Sequence, residues 1–141
     1  MQPILEIKAK KLEEEQLKLA TLLEILSSQQ EILEQMKAQA QRISEELNNL
    51  LAGENIEVDK ICNYKSFLKN VSFDIQTQQD LIKKTQVKID EQKVALGEAY
   101  KELKILENLK EKQQKEHYKY FEELEIKEID DITISRYKKA S

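Results

Sequence analysis

Ala52-Gly53-Glu54-Asn55-Ile56-Glu57-Val58-Asp59, AGENIEVD in one-letter code, is where a seven-residue apolar pattern breaks off and then begins again. Gly53 is one of only two glycines and stands where a helix can end, while Asp59 can cap the next one. The stretch reads as a chain reversal. It separates a helix expected over about 3–51 from a second over about 60–138, with the turn over about 52–59.

Upstream, every seventh residue gives Leu5, Leu12, Leu19, Leu26, Leu33, Ala40 and Leu47, the row a coiled coil buries at its seam. A companion row three residues on, Lys8, Glu15, Leu22, Gln29, Met36, Ile43 and Leu50, is polar early and apolar later, so the seam tightens toward the turn. Downstream, the row is Ile61, Leu68, Ile75, Ile82, Ile89, Leu96 and Leu103. Its companion row is apolar at Tyr64, Val71, Ala99 and Leu106 and polar between them, at Gln78, Thr85 and Gln92. A polar middle loosens packing and fixes register.

Short connections make antiparallel neighbours, which sets Leu47 near Tyr64 and Leu5 near Leu106. The expected fold is all-α: one antiparallel coiled-coil hairpin over residues 1–141, its second helix longer than its first. The row fades after Leu109 into Lys110-Glu111-Lys112-Gln113-Gln114-Lys115-Glu116. About thirty residues then outrun the first helix. Isolated polar helices are marginal, so this tail is expected to order on binding a partner.

Composition agrees with few, long elements. In 141 residues, 35% are charged and only one is proline, which leaves little material for turns. Lys and Glu alternate throughout at a net charge of −4, unlike the one-sided basic field that nucleic acid requires. No apolar run approaches the roughly 20 residues of a membrane span, and the start MQPILEIKAKK lacks a secretory signal, so a cytosolic protein is expected. Cys62 is the sole cysteine, which excludes an internal disulfide and points to a reducing compartment.

Three of the eight aromatic residues (five Tyr, three Phe) fall just beyond the turn, at Tyr64, Phe67 and Phe73. With Ile61 and Leu68 at heptad position a, Tyr64 and Val71 take d, Phe67 takes g, and Phe73 takes f, pointing away from the partner helix. Phe73 also begins an outward strip with Val87 and Val94, interrupted by Asp80. Two readings stay open. Ile56 and Val58 could fold back over Phe67 and Phe73 as a small satellite core, or Phe67, Phe73 and Tyr64 could form a docking patch.

Catalytic chemistry finds little support, and neither a cofactor nor a metal is expected. His117 is the only histidine and has no companion at metal-ligand spacing. The tail carboxylates are numerous, but a two-helix hairpin offers no pocket to pair them in. Gly97 lies alone within a helical pattern, explained by close helix approach or by chance.

Several local patterns resemble the FliJ proteins of bacterial flagellar export. Asn63-Tyr64-Lys65-Ser66-Phe67-Leu68 looks like that family's N-Y-x-x-F-hydrophobic start to the second helix, and LKILENLKEKQ (103–113) looks like its L-x-x-L-x-x-x-Q segment. Lys127-Glu128-Ile129-Asp130-Asp131-Ile132 is similar to its K-x-hydrophobic-D-E-hydrophobic signature, with Asp131 in place of glutamate and Arg136 beyond. The first helix shares only heptad character.

The resemblance implies a non-enzymatic stalk. It would promote ring assembly by a FliI-like export ATPase, link that ring to a FlhA-like export gate at the cytoplasmic face of the inner membrane, and bind export chaperones. By this resemblance Phe67 and Val71, with Tyr64 supporting, join the gate-binding surface. Phe73 is placed there by its outward position. Glu125, Ile129, Asp130, Asp131 and Ile132 join the ATPase-facing tail. The alternatives are an export chaperone acting through Phe73, Val87 and Val94, the equivalent stalk of a type III injectisome, or a coiled coil that dimerises through the tail.

Overall fold

The computed structural model describes the backbone of residues 2–140 and the side chains of residues 2–137. Helix α1 runs over Gln2–Ala52 and helix α2 over Val58–Ala140, and no strand occurs among the described residues. The second helix is the longer, as expected.

The turn ends α1 at Gly53 as expected but starts α2 differently from the sequence expectation. Gly53 closes α1 by donating its N–H to the Leu50 carbonyl at 3.3 Å, a three-residue bond that tightens the last turn. It does so without positive φ, so the left-handed freedom of glycine is not used. At the start of α2, Ile61 N–H donates to the Glu57 carbonyl at 3.1 Å, which makes Glu57 the capping position. Asp59 therefore lies inside the first turn rather than before it. There its carboxylate opposes the positive end of the helix dipole.

Packing divides the chain into two compact units, Glu14–Leu96 and the pair Met1–Glu13 with Gly97–Ser141. In each, a piece of α1 runs antiparallel to a piece of α2.

Within Glu14–Leu96 the seam buries Leu47, Val71, Ile82 and Ile89, and it also buries Gln78 and Thr85. The polar middle closes by reaching across the seam. Gln78 Nε2 donates to the Gln29 carbonyl at 2.9 Å, and Gln92 Nε2 donates to the Glu15 carbonyl at 3.1 Å and to the Glu15 carboxylate. Thr85 Oγ1 donates back to the Leu81 carbonyl at 3.2 Å. A side chain bonded to main chain of the facing helix fixes axial register, because sliding would orphan a buried amide. Gln29 Oε1 is itself buried with no hydrogen-bond partner.

Within the other unit Leu5 and Ala99 are buried, and Leu5 and Leu103 line one hollow together. Ion pairing flanks the seam, where Lys8 Nζ donates to Glu102 Oε2 at 2.9 Å and Lys110 donates to Gln2. The hydrogen bond from Lys8, then its charge and that of Lys11, hold the Glu102 carboxyl below the usual glutamate value. Beyond Lys110 the pairing stops. Every described side chain from 111 to 137 is exposed, although α2 continues without a break.

Candidate functional site

Two exposed surfaces stand out, one on each unit. The first lies just past the turn, where Tyr64 and Phe67 from α2 meet Ile43 and Glu46 from α1. Together with Lys60 and Asn63 they line a shallow cavity of about 330 Å³. Tyr64 is half-buried, and its hydroxyl donates to Glu46 Oε2 at 3.3 Å, which orients the ring at the rim. Phe67 is partly exposed beside it.

The two other aromatic-stretch residues part company with this pair. Val71 is a seam residue with 6% of its surface exposed, so it supports the surface from behind and offers none itself. Phe73 is 72% exposed at its outward f position, away from the cavity. The satellite core anticipated over Phe67 and Phe73 does not form, since Ile56 and Val58 are also exposed. The physical reason is reach. Only residues 53–57 separate the helices, and Phe73 lies some four helical turns beyond them. Glu46 and Lys60 were not singled out in the sequence, and Ile43 only as a seam residue, because they belong to the cavity only once the helices are set in register.

The second surface is the unpaired stretch of α2. Glu125, Ile129, Asp130, Asp131 and Ile132 all lie on it and are exposed. So are Tyr118, Tyr120, Phe121, Leu124, Ile126, Ile134 and Tyr137. At about 100° per residue, these apolar side chains do not form a stripe. Tyr118 and Ile129 share one face, Ile126 and Tyr137 the next, Tyr120 and Leu124 the one opposite, and Phe121 and Ile132 the last. Tyr120 and Phe121 touch edge to face, with ring centroids 6.0 Å apart. Apolar and charged side chains therefore share every side of this stretch, with no single apolar face. Over residues 118–137 the six acidic residues Glu122, Glu123, Glu125, Glu128, Asp130 and Asp131 outnumber Lys119, Lys127 and Arg136.

His117 is exposed, and no group of three His, Cys, Asp or Glu side chains is placed to hold a metal ion among the described residues. None of the helices described is long and apolar enough to cross a membrane.

These features define an all-α coiled-coil hairpin whose distinctive chemistry lies on open surfaces. A model of the FliJ family, described as flagellar FliJ protein, matches residues 1–141. The chain belongs to that family, a non-catalytic component of the flagellar export apparatus. No curated protein and no solved structure matches it.

Proposed function

We propose that the chain is the stalk of a type III export apparatus, acting in the cytoplasm at the inner membrane. Its unpaired α2 stretch enters the ring of a FliI-like export ATPase and promotes its assembly. The cavity rimmed by Tyr64 and Phe67, with Val71 behind, docks a FlhA-like export gate, and Phe73 adds a separate outward contact. The observation that carries this reading is the circumferential spread of apolar side chains over residues 118–137. A helix with one greasy face needs one neighbour, whereas a helix greasy on all faces needs a socket. Within that socket Ile129 and Ile132 supply apolar contact, and Glu125, Asp130 and Asp131 supply negative charge toward basic ring residues.

Adding the full chain to the cognate export ATPase tests this. Hydrolysis and ring assembly are expected to rise with concentration and to stay at baseline with a chain lacking residues 115–141. Stimulation by the truncated chain, or none by the full one, overturns the reading.

A second reading, a chaperone for export substrates, draws support from the exposed strip Phe73, Val87 and Val94. It predicts that the truncated chain still binds substrate and that polar substitutions along the strip abolish this.

A further inference from the structure

The two compact units hold α1 by different means. In Glu14–Leu96, side-chain amides of α2 bond to main-chain carbonyls of α1, and Leu47, Val71, Ile82 and Ile89 are buried. In the other unit α1 contributes one buried side chain, Leu5, and Leu12 is only half-buried. Between them position d, where a coiled coil places an apolar residue, is Lys8. The cross-helix hydrogen bonds described in this unit, from Lys8 to Glu102 and from Lys110 to Gln2, both join exposed side chains. Contacts of this kind stabilise little, because water and salt screen them.

The opposite edge of the same pairing works against attachment. There the helices leave a hollow of about 400 Å³ over Leu5, Ala9 and Leu103. The hollow gathers Glu6 of α1 with Glu107 and Glu111 of α2, and Lys110 is the one cation among its lining residues. Like charges brought together across a seam disfavour the pairing. The missing side-chain volume removes contacts that would favour it. Ile4 and Ile7 gain little from α2 either, since they stay 51% and 65% exposed.

We propose that residues 2–13 form a strap that releases from α2 as a unit while the pairing within Glu14–Leu96 stays closed. Release uncovers Ala99, Leu103 and Leu106, so the unpaired stretch of α2 lengthens backward from Glu111 by about two heptads. The device is a conformational one, set by weak attachment on one edge and a packing defect on the other. A released segment this short is not stably helical alone, so its amides open to water.

The proposal does not rest on the stalk reading, and it is tested without any partner. Hydrogen exchange of the full chain, followed by NMR, reads release directly. Amides of residues 6–13 are expected to share one opening equilibrium and to exchange about tenfold faster than those of residues 36–47. Glu102→Lys sets a like charge against Lys8 and should speed strap exchange about fivefold, while the double variant K8E/E102K should recover most of the protection. Ala9→Leu places apolar volume in the hollow and should slow strap exchange about fivefold. Residues 36–47 should not respond to any of these changes. Strap amides as protected as those of residues 36–47 overturn the proposal, and so does a smooth gradient of protection along α1 with no step near Glu13, which is ordinary fraying. Exchange indifferent to Glu102→Lys or to Ala9→Leu overturns it as well.

Discussion

At Gly97 a methyl group would meet nothing within 4 Å, so close helix approach is not why a glycine stands there. The residue costs helix stability without returning packing. Gly97→Ala should therefore stabilise the fold by about 0.5–1 kcal/mol, read as a higher thermal midpoint. Gln29 offers the converse lesson in the seam. Its main-chain carbonyl accepts from Gln78, while its side-chain oxygen is buried without a partner. Gln29→Leu keeps the first bond and removes the orphan. A gain of about 1 kcal/mol is expected in denaturant unfolding, and a loss would mean the side chain is satisfied in solution. Heptad reading found Gln29 in its row but not the state of its oxygen, which depends on what the facing helix presents. It likewise placed Phe73 outward correctly, but left open whether the turn could cover it.

The two helices themselves were legible because each repeats a seven-residue pattern over many turns, a signal that outweighs local exceptions. The turn was legible in place and less so in chemistry. A cap at Glu57 through its main chain leaves no mark on side-chain identity, so Asp59 drew the assignment. Where α1 and α2 pair in the Met1–Glu13 and Gly97–Ser141 unit, the Lys8–Glu102 contact gives the element a pH response. The folded carboxyl titrates below its unfolded value, so the stabilisation is present above that value. It is lost as pH falls from about 4.5 through the lowered folded value. Thermal midpoints should therefore drop across this acid limb in the native chain and drop less in Glu102→Gln. Identical acid limbs would show that the pair contributes nothing.

On the scale of the molecule, the sequence makes the tail look like a coiled-coil helix running out of partner, and its expected state was order gained on binding. The structure keeps α2 helical through that stretch and distributes apolar side chains around its whole circumference. That distribution was hidden in the sequence, because a search for stripes discards residues that fall on every face. It is also the central claim: the tail works by being surrounded. Photo-crosslinking residues placed singly at Tyr118, Tyr120, Phe121 and Ile126, which point in four directions, test it most directly in the presence of the cognate export ATPase. Crosslinks to the ATPase from all four positions are predicted, and crosslinks confined to one side of the helix would contradict it.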